Sequence, residues 1–175
     1  MYFHFTSLQV AHGHSFSDAF ASTPTGDPSP NAAHPPVYTL ALAGVARIGL
    51  QSPDAQRIVG VLAGTVTVVL AGLIGGRLDG RRTAILAAGL CAASPAFVAT
   101  DTALMSESLF GALVAGCVLL GLAIADRPSV RLGAALGLLI GLAGLTRGEG
   151  LLLLALIGIP VAAAAGSRGD CPCCS

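Results

Sequence analysis

Residues 58–76 read IVGVLAGTVTVVLAGLIGG, with no charged side chain and no proline. Wound as an α-helix they extend about 28 Å at 1.5 Å per residue, close to the ~30 Å hydrocarbon thickness of a bilayer. Comparable apolar runs follow at 83–99, 104–125, 132–146 and 151–166. The last two lie near the lower limit for spanning and would cross with little tilt. Soluble domains carry about 25% charged residues. This 175-residue chain carries 10%, is 54% hydrophobic, and has a mean hydropathy of +0.79. The expected fold is all-α: a polytopic transmembrane bundle of about five helices over residues 51–166.

Upstream, residues 37–50 form an apolar stretch containing Arg47 and ending at the break QSPD. It is too short to cross and is expected as a helix at the membrane interface. Residues 1–36 are expected as an outer, loop-like segment. MYFHFTSLQVAHGHSF has the composition of a short helix, whereas STPTGDPSPNAAHPP carries five prolines and reads as loop or extended chain. No positive n-region precedes a continuous apolar core, so this is not a signal peptide.

The chain has no lysine, and its arginines set an orientation. If the runs cross in alternation, Arg77, Arg81, Arg82, Arg127, Arg131 and Arg168 share one side. Arg47, Arg57 and Arg147 share the other. The positive-inside rule assigns the richer side to the cytoplasm, including the tail 167–175, and the N-terminal segment to the exterior of a plasma membrane. The net charge is zero and no basic cluster points to nucleic acid. Cys91 and Cys117 fall in apolar runs, where cysteine acts as a small hydrophobe. Cys171, Cys173 and Cys174 lack the paired spacing of a zinc site. Small residues recur every four positions at Gly60 and Gly64, and again at Gly133, Gly137 and Gly141, a spacing that lets helices approach closely in lipid.

Ionisable groups at a membrane boundary are costly, which makes them functional candidates. Four fall on the outer side: Asp101 and Glu107 in SPAFVATDTALMSESLF, and Arg147 and Glu149 in GLTRGEGLLLL, residues 144–154. Helix N-terminal capping would also explain Asp101, whereas Leu104 and Met105 ahead of Glu107 suggest that it lies inside its helix. An ion pair sealing a hairpin would also explain Arg147 with Glu149. The functional alternative is that the Arg147 guanidinium forks onto a lipid phosphate.

The order of these features resembles the membrane-embedded glycosyltransferases that use polyprenyl-phosphate sugars, in the protein mannosyltransferase-like and aminoarabinose-transferase-like groups. YFHFTSLQVAHGHSF is similar to their aromatic-His stretch, and HPPVYTLALAGVARIGL to their HPP-Y entry into an interfacial helix. QSPDAQRIVGVLAG, GGRLDGRRTAILAAGL, SPAFVATDTALMSESLF and the Thr-Arg-x-Glu of GLAGLTRGEGLLLL follow in the family order.

The resemblance implies transfer of a sugar from a polyprenyl phosphate to a hydroxyl of a glycan, lipid or protein at the outer membrane face. It implies Glu107, with Asp101, as catalytic acids, and Arg147 as the contact to the carrier phosphate. Glu149, His34, Tyr2 and His4 are implied as further substrate-binding positions. Some relatives use a divalent metal; the sequence leaves this open. The base of the family is an Asp just ahead of the aromatic-His stretch, in which Met1 already lies. The chain therefore reads as a fragment, expected to be inactive in transfer on its own. The alternative is a non-catalytic multi-pass protein, a transporter piece or an assembly subunit.

Overall fold

The computed structural model describes residues 2–13, 16–22, 28–30 and 35–169. The N-terminal segment is more ordered than a loop. It holds α1 (Tyr2–Ala11) and a short antiparallel ribbon of β1 (Ser17–Ser22) and β2 (Pro28–Pro30), joined at Ser17–Pro30 and Ser22–Pro28. Proline tolerates such a two-stranded edge because its missing N–H can face away from the partner. The ribbon returns the chain so that α2 (Pro36–Arg47) lies parallel to α1. Phe3 meets Tyr38 edge-on at 5.1 Å, and eight residues on in α1 the Ala11 carbonyl accepts a hydrogen bond from Arg47 Nε at 3.3 Å. That arginine satisfies an orphan carbonyl at the C-terminal, negative end of α1.

A one-turn helix α3 (Pro53–Gln56), capped by the Ser52 hydroxyl, leads into α4 (Ile58–Ala93). α4 is long, but it is not straight. Asp79 and Gly80 leave helical geometry, Gly80 at φ +79°, which an L side chain rarely adopts. Beyond them the chain doubles back. A Cβ on Gly75 would lie 2.8 Å from the Thr83 carbonyl oxygen, and one on Gly72 would lie 3.3 Å from Ala88 Cβ. α4 is therefore an antiparallel helical hairpin whose arms touch through glycine, the close approach that small residues allow in lipid.

The second arm stops at Ala93, and Pro95 opens a separate helix, α5 (Pro95–Thr102). Proline fits the first turn of a helix and breaks an interior, so the expected single run 83–99 is split here. α6 (Glu107–Asp126) and α7 (Val130–Thr146) then pack antiparallel, from Glu107 beside Arg147 to Gly116 beside Leu139. After a 3-10 turn (Gly148–Leu151) and a π turn (Leu154–Gly158), α8 (Ile159–Gly169) completes the described chain. Pro160 cannot donate to the carbonyl four residues back, which accounts for the wide turn just ahead of it.

The core lies where α6, α7 and the last run meet: Cys117, Ile124, Leu136, Ile140, Ala143 and Leu153. Outward faces carry exposed Leu62, Val69, Leu73, Ile85, Leu90 and Leu138. An apolar surface of that extent suits lipid rather than water. Two helical stretches, Pro53–Ala93 and Glu107–Asp126, are long and apolar enough to cross a membrane, and Val130–Thr146 and Gly148–Ala164 are shorter apolar helices. At one end of the bundle Arg77 pairs with Asp126 at 3.2 Å. Glu107 and Arg147 meet at the other.

The hairpin is testable by cross-linking. Substituting Gly72→Cys and Ala88→Cys, with the five native cysteines replaced, is expected to give a rapid intrachain disulfide, since Cβ separations of about 3.5–4.5 Å suit one. In a straight helix the pair would stand about 24 Å apart. Absence of the cross-link would refute the fold-back.

Candidate functional site

The polar end of the bundle is built around the turn that the sequence places at TRGEG. α7 ends at Thr146, whose hydroxyl donates back to the Leu142 carbonyl at 2.7 Å. Arg147 is extended, at φ −150° and ψ 135°, and Gly150 N–H donates to the Arg147 carbonyl at 2.8 Å. Gly150 lies so close to the last turn of α7 that a Cβ there would overlap the Ala143 carbonyl. This contact folds the 3-10 turn onto α7 and aims the Arg147 side chain across to the start of α6.

There Arg147 Nη1 donates to Glu107 Oε1 at 2.5 Å, and Arg147 Nε stands 3.6 Å from Glu149 Oε2. The guanidinium also lies over the Phe110 ring, 5.9 Å from its centroid, a cation–π placement worth roughly 0.5–1 kcal/mol where exposed. The three charged side chains are 30%, 40% and 69% exposed. Ion pairs this accessible stabilise a fold by at most about 1 kcal/mol, so folding stability does not explain the cluster. Glu107 is the first residue of α6, not an interior position. The chain turns at Ala103–Ser106, with Met105 N–H donating to Ala103, before the helix begins.

Phe3, Pro35, Glu107, Arg147 and Glu149 wall a cavity of about 340 Å³, within the usual size range of ligand pockets. Behind it stands Tyr38, fully buried, with no hydrogen-bond partner for its hydroxyl among the described residues. Burial first, and the negative charge of Glu107 second, push its pKa up to about 12. Ser108 Oγ, next to Glu107, is likewise buried and unpartnered among the described residues. Phe110 did not stand out from sequence. Tyr38 is the Tyr of the HPP-Y element, but its burial is set by packing that the sequence does not show.

The remaining candidates lie elsewhere. Asp101 sits in the last turn of α5, so it caps no helix N-terminus. It presses against Gly60 and Gly64 of α4 and lines a separate cavity of about 250 Å³ with Thr67, Cys91 and Phe97. His4 belongs to a closed, buried ring. Its Nδ1–H donates to Gln56 Oε1 at 2.8 Å, Gln56 Nε2 donates to Ser7 Oγ at 3.1 Å, and Ser7 Oγ donates to the His4 carbonyl at 2.7 Å. This ring fastens α1 to α3, and His4 is absent from the Arg147 cavity. Tyr2 lies beside that cavity's wall, edge-on to Phe3 at 5.7 Å. His34 and the cysteines at 171, 173 and 174 lie outside the described residues. Among those residues no three His, Cys, Asp or Glu side chains gather as metal ligands.

With this geometry in place, comparison with known families is decisive. Residues 33–169 match the dolichyl-phosphate-mannose-protein mannosyltransferase family. The chain belongs to that family. It is thus a membrane protein of glycosyltransferase type, and the match spans every element from α2 to α8. No curated protein and no solved structure matches the chain.

Two predictions follow from the site's geometry. Gly150→Ala is expected to destabilise the protein by about 1–3 kcal/mol through overpacking and to displace Arg147; thermal unfolding in detergent measures it, and an unchanged midpoint would contradict the close approach. The second concerns Tyr38. Folding favours its neutral form, so its stabilising contribution is intact below pH 10 and is lost as pH rises through about 12. In a Tyr2→Phe background, phenolate absorbance should titrate near 12. Glu107→Gln should lower that midpoint without bringing it to 10, because burial is the larger cause. An ordinary midpoint indifferent to Glu107 would contradict the placement.

Proposed function

We propose that the chain is a multi-pass plasma-membrane glycosyltransferase. Its Arg147 end faces the exterior and binds the polyprenyl-phosphate donor whose sugar passes to a hydroxyl of a glycan, lipid or protein. The observation that carries this reading is the placement of Arg147. A guanidinium is held by a tight glycine turn at the boundary of an apolar bundle, over a cavity, with one of its five N–H donors given to Glu107. When the sugar leaves, negative charge grows on the carrier phosphate. Donors already oriented toward it in a site partly closed to water stabilise that charge at little reorganisation cost.

Glu107 fixes the guanidinium from α6 and Glu149 from the turn, so the donor contact spans two helices. The reading assigns no step to Asp101, whose cavity is separate. Orientation is supported by the opposite end of the bundle, where Arg77, Arg81, Arg82, Arg127 and Arg131 cluster around the two turns joined by the Arg77–Asp126 pair.

The test is binding of a polyprenyl monophosphate to the chain in zwitterionic nanodiscs, read by native mass spectrometry. Arg147→Ala is expected to weaken binding by roughly tenfold to a hundredfold, as loss of a charge-assisted hydrogen bond does. Equal binding by the variant, or no preference of the wild type over the nanodisc lipid, would overturn the reading.

A further inference from the structure

The Arg147 guanidinium meets its two carboxylates on unequal terms. Glu107 accepts from Nη1 in a short, direct contact and comes from the first turn of α6, 40 residues away in the chain. Glu149 comes from the same turn as the arginine, and its Oε2 stands 3.6 Å from Nε, beyond hydrogen-bond length. Its side chain is 69% exposed, against 40% for Glu107. A pair that long and that accessible holds weakly, because water and salt screen it.

The place Glu149 takes is the one an incoming anion needs. With Nη1 given to Glu107, the guanidinium keeps its Nε–Nη2 edge, whose two parallel N–H groups match a pair of phosphate oxygens. Glu149 stands off the Nε end of that edge, and it walls the cavity together with Arg147. With both glutamates in place the single charge of the guanidinium is already more than matched. A further anion is favoured there only when one carboxylate withdraws. The turn permits this without unfolding. Gly150 is fixed against Ala143 and Gly144 of α7, whereas the space at Gly148 is open and the Glu149 side chain lies mostly in solvent. A change of side-chain rotamer is enough to release Nε.

We propose that Glu149 is a displaceable counter-ion. In the free chain it occupies the phosphate's place on Arg147, and the carrier phosphate binds by turning it out while Glu107 stays. The proposal rests on the reading of Arg147 as the phosphate contact and gives the two glutamates opposite parts. Glu107 is a positioning residue that keeps the guanidinium aimed. Glu149 lowers the affinity of the site and so limits how long a phosphate stays bound.

The test is a double-mutant cycle on the whole chain in zwitterionic nanodiscs, with a polyprenyl monophosphate as probe and native mass spectrometry as readout. Glu149→Gln keeps the size of the side chain and removes its charge. It is expected to lower the dissociation constant roughly threefold to tenfold, the scale of one exposed charge pair. Glu149→Ser, which removes the carboxylate differently, should tighten binding likewise. On an Arg147→Ala background the gain from Glu149→Gln should shrink to less than about twofold, because the carboxylate acts through the guanidinium. A second readout is the Arg147 Nε–H resonance, assigned by its loss in Arg147→Ala. It should move on Glu149→Gln in the free chain and on adding the probe to the wild type.

Equal or weaker binding by both Glu149 variants, while Arg147→Ala still weakens binding, would overturn the proposal alone and make Glu149 a support of the phosphate contact. Tightening of the same size with and without Arg147 would trace the effect to the distant field of the carboxylate and refute displacement. An Nε–H resonance indifferent to Glu149→Gln would show that no pair forms in the free chain, with the same consequence. A wild type that binds no polyprenyl phosphate removes the reading of Arg147 and this proposal with it.

Discussion

Backbone amides inside hydrocarbon must find partners within their own helices, and that constraint decides where chemistry can sit in this chain. Through the middle of the bundle the sequence offers mostly Ala, Gly, Leu, Val and Ile, with Cys91, Cys117 and a few hydroxyls. Thr65 and Thr67 donate to carbonyls of their own helix. Free donors and acceptors arise only where helices end. The charged side chains accordingly gather at two poles, Arg77 with Asp126 at one and Glu107 with Arg147 at the other. The glycine-lined hairpin of α4 keeps the poles apart. By turning at Asp79–Gly80 it delivers α5 and the start of α6 to the pole that Arg147 occupies.

Within that pole, stability and ligand readiness pull in different directions. The Arg147–Glu107 pair is too accessible to hold the fold, and the Tyr38 and Ser108 hydroxyls lack partners among the described residues. What holds the pole together is less polar. It is the contact of Gly150 on the last turn of α7, the Phe3–Tyr38 stack, and the His4–Gln56–Ser7 ring that moors α1 to α3. The scaffold contacts and the charged cluster are separate sets of atoms. A change at the charged cluster can therefore alter binding while leaving the helices in place.

Much of this was legible in the sequence because the signals are local. Apolar run lengths gave the helical bundle, the break at QSPD gave the end of α2, and the charge beside Gly150 marked the Arg147 turn. The misreadings share a physical cause, namely dependence on a partner distant in the chain or on a boundary of a few residues. The run 83–99 reads as one helix, whereas Pro95 starts α5. Glu107 was expected inside its helix because apolar residues precede it, yet those residues form the turn. The short helix expected at the start of the chain forms as α1, but what His4 binds was not legible, because Gln56, its partner, lies 52 residues away.

The separation of Asp101 from Glu107 shows why sequence proximity misleads at helix ends. The two carboxylates are six residues apart and were grouped as one acidic loop. α5 occupies the residues before the turn, and α6 starts immediately after it. A helix ending and a helix beginning carry their side chains toward different neighbours. Asp101 is taken up by the small-residue face of α4, where Gly60 and Gly64 leave room that any side chain would fill. Glu107 is presented to α7, and only it meets the arginine. The small-residue spacing at Gly60 and Gly64 lets α5 approach α4 closely, with the Asp101 backbone at Gly60 and its carboxylate at Gly64. By holding Asp101 there, it leaves Glu107 as the carboxylate that α6 brings to the guanidinium.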